Sequence, residues 1–149
     1  MISTTYLARL GEVAARFRAA IEIVGADLGT PFGNFPRGCC GQATLLLGTH
    51  LVERGFGEFA YMLGRRRIFD KAADESHAWL QRGDLIVDIT ADQFAGINDA
   101  VVVTTDSDWY QQFEPKPEHV ADYRIFDAHT VAVFSGKYSK ITATLNRNT

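Results

Sequence analysis

Apolar side chains recur at spacings of three and four near the start of the chain, through Leu10, Val13, Phe17, Ile21 and Val24, with Arg9, Arg16, Arg18 and Glu22 between them. That period predicts an amphipathic helix over residues 4–24, with Thr4 or Thr5 as its cap. The same stepping returns at the other end, through Val131, Phe134, Tyr138, Ile141 and Leu145, and predicts a last helix packed on a sheet. Residues 40–54, "CGQATLLLGTHLVER", are apolar on most faces, which predicts a central helix ended by Gly55. Beyond it the period changes to two. "GEFAYMLG", "SHAWL", "LIVDIT" and "AVVVTT" read as four strands of an antiparallel sheet. The glycines and prolines of "GADLGTPFGNFPRG" predict a long loop, "RRRIFDKAADE" reads as a connection, and Pro115 and Pro117 leave "DSDWYQQFEPKPEH" irregular. Helix, helix, strands, helix is an α+β order.

A length of 149 residues suits a single domain, residues 1–149, with one core and no internal repeat. The formal charge of −3 and pI near 5.8 give no electrostatic footprint for nucleic acid or an anionic membrane surface. No stretch approaches the roughly 20 apolar residues of a membrane span, so a soluble, cytoplasmic protein is expected. The two cysteines, Cys39 and Cys40, are adjacent, and neighbours cannot supply the spaced framework of a secreted disulfide scaffold.

The thiols acquire a meaning beside "SHAWLQRGDLIVDIT", residues 76–90. With a two-residue turn at Arg82-Gly83, Leu80 faces Leu85, Trp79 faces Ile86 and His77 faces Asp88. Directly opposite residues have Cβ atoms roughly 4.5–5.5 Å apart, close enough for an imidazole N–H to reach a carboxylate. The carboxylate would then choose the tautomer and stabilise the imidazolium, leaving the second ring nitrogen to face a nucleophile. Cys40 opens the predicted central helix, where free N–H groups and the helix dipole favour a thiolate and could receive an oxyanion. Cys40, His77 and Asp88 are therefore the candidate catalytic residues. Spacing favours Cys40 over Cys39 as nucleophile.

"GCC" at a helix start, the glycine-ended helix that follows, then "SHAWL" and "VDIT", resemble the transglutaminase-like cysteine protease superfamily over residues 36–94. There a Gly-x-Cys opens the core helix, His-Ala-Trp begins a strand and Asp-Pro-Thr closes the next. The resemblance implies a papain-like α+β core: a central helix carrying the cysteine, packed on an antiparallel sheet, with helices flanking it. It also implies a triad in the order Cys40, His77, Asp88. Ile89 stands where the family often has proline, and no acidic cluster suggests calcium dependence.

The implied activity is cysteine-dependent acyl transfer on an amide through a thioester, as peptidase, amidase, deamidase or transglutaminase, with no cofactor. The substrate would be a peptide, a protein or a small amide. Cys39, Trp79 and Gln93 are candidate substrate-binding residues: Gln93 follows the second hairpin strand and could aid the oxyanion, and Trp79 shares the His77 face and could shield the imidazole. Other readings are a catalytically silent binding module, an arylamine acetyltransferase-like enzyme, for which the chain is short, and a toxin-like deamidase. Metal binding by Cys39, Cys40, His77 and Asp88 is disfavoured, because adjacent cysteines do not give tetrahedral geometry. "RRR" at Arg65 reads as a solvated edge or an acidic-partner patch, "WYQQF" as a cleft wall or a fastening loop, and His50, His119 and His129 as structural or surface residues.

Overall fold

A computed structural model describes residues 2–67 and 74–147. Helix α1 (Thr4–Val24) has the predicted bounds, but its cap is Ser3, whose hydroxyl accepts from the Tyr6 N–H at 3.0 Å. Thr4 and Thr5 already belong to the helix, so the residue before them does the capping. The glycine-rich segment that follows makes two 3-10 turns, Gly25–Leu28 and Phe32–Asn34, because Leu28 and Phe32 are drawn into the core. Helix α2 (Cys40–Glu53) comes next and is buried along most of its length.

The sheet has five strands in the order β4-β3-β2-β1-β5, all pairs antiparallel: β1 (Ala60–Arg67), β2 (Asp74–Arg82), β3 (Leu85–Asp88), β4 (Val102–Thr104) and β5 (Lys116–Val120). The protein is thus an α+β structure on an antiparallel sheet. Two expectations are corrected here. Arg65, Arg66 and Arg67 continue β1, and Asp74 and Glu75 begin β2; the rest of the expected connection, residues 68–73, lies outside the described residues. The region expected to be irregular holds a one-turn helix α3 (Asp108–Gln111) and the fifth strand. Pro117 is tolerated because β5 is an edge strand, paired among the described residues with β1 alone.

Helix α4 (Ala128–Arg147) closes the chain and packs on α1 through Phe134, Tyr138 and Ile141. Alternation along the strands splits the interior in two. Leu80, Leu85 and Val87 join α1, α2 and α4 in the larger core. Trp79, Ile86 and Met62 point to the other face and pack with Tyr110 and Phe113. Each fully buried leucine or phenylalanine contributes roughly 1.5–3 kcal/mol. Gly64 admits the second layer: a Cβ there would lie 2.5 Å from the Phe113 carbonyl oxygen, which accepts from the Arg65 N–H. Among the described residues, no helix is long and apolar enough to cross a membrane.

The hairpin register differs from the expected one. Arg82 pairs with Leu85, Gln81 with Ile86 and Leu80 with Val87, so the turn is Gly83-Asp84 rather than Arg82-Gly83. Gly83 takes a positive φ of 59°, the glycine-first pattern of a two-residue hairpin turn. Arg82 is held in the strand by its guanidinium, which donates to the Phe56 carbonyl at 2.6 Å and to the Tyr6 hydroxyl. Extended along the strands, this register makes His77 and Asp88 diagonal neighbours, not direct opposites. A shift of two preserves the face.

Candidate active site

Asp88 is the most heavily bonded side chain of the second layer. Its Oδ2 accepts from His77 Nε2 at 2.6 Å and from the Tyr110 hydroxyl at 2.9 Å. Its Oδ1 accepts from the Thr90 N–H at 2.9 Å and the Thr90 hydroxyl at 3.4 Å. Asp88 is 2% exposed and His77 0%. A buried carboxylate without partners costs several kcal/mol, so four donors are what make this placement tolerable. The segment just beyond is anchored by Arg18 of α1, which donates to the Ile89 and Ala100 carbonyls and makes a two-pronged bond to Asp92 at 2.7 and 2.9 Å. That anchor fixes the 3-10 turn Ala91–Gln93, which carries Gln93.

With Nε2 donating to Asp88, the His77 ring presents Nδ1 as its second position. The Gln93 amide nitrogen lies 3.4 Å from it. Burial alone would push the His77 proton off. The adjacent Asp88 charge and hydrogen bond, with Cys40 adding to them, outweigh it, and the pKa rises to about 9.

The two cysteines are in unlike environments. Cys39 is fully buried and its thiol donates to the Pro31 and Arg37 carbonyls at 3.4 and 3.3 Å. Burial and then the charge of Cys40 push its pKa up to about 11, with Lys137 opposing. Cys40 is the first residue of α2 and half-buried. The first intrahelical bond runs from the Ala43 N–H to the Cys39 carbonyl at 2.8 Å, so among the described residues the N–H groups of residues 40–42 begin the helix without backbone acceptors. A thiolate and a developing oxyanion are both stabilised at such a place.

Aromatic rings enclose His77 on its remaining sides. Phe94, Trp79, Phe113 and Trp109 have centroids 5.0, 5.5, 5.6 and 5.9 Å from it, and Tyr110 stacks at 6.3 Å. Arg66 lies over Phe94 and Phe113 at 5.1 Å and pairs with Glu75 at 2.9 Å, so this arginine serves the layer's outer surface. A wall of rings lowers the local dielectric and strengthens the ion pair.

The structure thus brings His77, Asp88 and Gln93 into contact, with Cys40 near enough to help hold the His77 proton. Trp79 and Cys39 lie behind the site. The Trp79 indole donates to Gln81 at 3.0 Å and its ring centroid lies 5.5 Å from that of His77; Trp79 and Cys39, like His77, are 0% exposed. Sequence reasoning missed Tyr110, Thr90 and Arg18. Tyr110 was visible only as part of "WYQQF", with no period to show which way it points. Among the described residues, no cluster of three or more histidine, cysteine, aspartate or glutamate side chains is placed to hold a metal ion.

No protein-family model matches the chain, and neither a curated protein nor a solved structure matches it.

Proposed function

We propose that this protein is a cysteine-dependent acyl-transfer enzyme built on a transglutaminase-like, papain-like core. Cys40 is the nucleophile, His77 the acid and base, and Asp88 the group that orients and charges the histidine. The observation that carries the reading is the 2.6 Å bond between buried His77 and Asp88, with Cys40 at a helix start among the groups that hold the His77 proton. Cys40 as thiolate attacks the carbonyl carbon of an amide. The leaving amine takes a proton from His77, and the thioester is resolved by water or an amine. The acceptor distinguishes peptidase and deamidase from transferase.

The test is the pH dependence of iodoacetamide labelling in the wild type, Cys39→Ser, Cys40→Ser and His77→Ala, read by intact mass. The expected result is fast labelling well below the ordinary thiol pKa of about 8.5. It disappears with Cys40→Ser, persists with Cys39→Ser and slows with His77→Ala. Slow labelling at high pH only, indifferent to His77, would favour a silent binding module.

A further inference from the structure

Tyr61 of β1 packs its ring against the larger core and stacks on His119 with centroids 4.8 Å apart. Its hydroxyl reaches the start of α2: a methyl group built on Gly41 would lie 2.9 Å from the phenolic oxygen. The oxygen therefore stands beside the second residue of the helix, within electrostatic reach of Cys40. Among the described residues the Tyr61 hydroxyl makes no hydrogen bond to a protein acceptor, unlike the hydroxyls of Tyr110 and Tyr138, which each hold a carboxylate. Burial, then the charges of Cys40 and Glu118, push its pKa up to about 12. It stays an O–H donor at neutral pH.

We propose that the Tyr61 hydroxyl is an oxyanion donor, acting with the helix-start N–H groups on the oxygen of a carbonyl attacked by Cys40. This inference rests on the acyl-transfer reading above. As the carbon–sulfur bond forms, the carbonyl π pair moves onto oxygen. Tyr61 gives that oxygen a hydrogen bond and keeps its proton. When the intermediate collapses the C=O bond re-forms, the leaving group departs with its electron pair, and the hydrogen bond weakens again. A donor that strengthens only while the charge exists speeds the step. Gly41 is part of the device, because any Cβ at that position would take the space the hydroxyl occupies.

Two reagents separate this role from a general effect on the thiol. Acylation of Cys40 by p-nitrophenyl acetate passes through an oxyanion and expels p-nitrophenolate, which needs no proton; alkylation by iodoacetamide occurs at a saturated carbon and forms none. Tyr61→Phe is expected to slow acylation roughly 100-fold and to change alkylation by less than about twofold. Gly41→Ala, which displaces the hydroxyl without deleting it, should slow acylation in the same selective way. Acylation at the wild-type rate in Tyr61→Phe overturns the inference alone, and so does an equal slowing with both reagents. A wild-type protein that p-nitrophenyl acetate does not acylate at Cys40 overturns the acyl-transfer reading and this inference with it.

Discussion

His77 and His50 are both buried among aromatic rings, at 0% and 8% exposure, and each has a tyrosine hydroxyl close by. Their charges go opposite ways. His50 stacks on Phe17 at 4.9 Å, and its Nδ1 lies 3.2 Å from the Tyr138 oxygen, whose own proton goes to Glu53. Burial and then the Arg54 charge push the His50 pKa down to about 4, with Glu53 opposing weakly. His77 has a carboxylate directly on its ring, and its pKa rises to about 9. A cavity of about 190 Å³ opens beside His50, yet no thiol lines it. Space, burial and a histidine do not make a site; a carboxylate on one ring nitrogen and a nucleophile near the other do.

Removing the carboxylate should make His77 behave as His50 does, and this is the largest effect expected. Asp88→Asn keeps the shape and, with its amide oxygen facing Thr90, the Thr90 bonds, but it turns an amide N–H toward His77 and Tyr110, which removes the charge and favours the wrong tautomer. Acylation of Cys40 by p-nitrophenyl acetate should fall roughly 10³- to 10⁴-fold, and the His77 pKa, followed by NMR of the imidazole nitrogens, should drop. A variant that keeps its rate, or whose His77 still titrates near 9, would refute the assignment of Asp88.

The two histidines should also divide the pH dependence of stability. His77 has a folded pKa near 9, above the ordinary 6.5, so its contribution is complete below about pH 6.5 and is lost as pH rises through about 9. His50 has a folded pKa near 4, below 6.5, so its contribution is complete above about pH 6.5 and is lost as pH falls through about 4. In urea titrations across this range, His77→Gln should flatten the alkaline loss relative to wild type, and His50→Leu the acid loss. Both variants altering the same limb would show that the two rings do not differ in charge.

The long helices were legible because their faces are one-sided over five or more turns, and the central helix because its glycine stop and apolar content agree. The His77–Asp88 pairing was legible for a subtler reason. Moving the turn from Arg82-Gly83 to Gly83-Asp84 shifts partners by two, and the face depends only on odd or even spacing, so the wrong register still put both side chains together. What stayed hidden depends on long-range packing. β5 carries Pro117 and, among the described residues, pairs on one side only. Tyr110 sits in a single helical turn, and Arg18 looks like any charge on a polar face until Ile89, Asp92 and Ala100 come to it. Adjacent in sequence, Cys39 and Cys40 differ only in what the fold does around them.

The smallest effect concerns the two tyrosines. Tyr110 donates to the Asp88 oxygen that also holds His77, so it competes for the electrons that raise the histidine's pKa. Tyr110→Phe removes one of four donors from a buried carboxylate, which should cost about 1–3 kcal/mol of stability in urea titration. It should also concentrate the charge of Asp88 on His77 and move the imidazole pKa up, not down, while acylation changes by less than about tenfold, because the tautomer and the triad geometry remain. Tyr138→Phe offers the matched control at His50: it also removes a buried hydroxyl from a hydrogen-bonded network, but one that does not include the thiol. A comparable loss of stability in both variants, with the His77 pKa rising only in Tyr110→Phe, would place Tyr110 as a brake on the Asp88 charge. A His77 pKa that falls in Tyr110→Phe would mean instead that the tyrosine holds the carboxylate in place, and that Asp88 turns away from the ring once the tyrosine is gone.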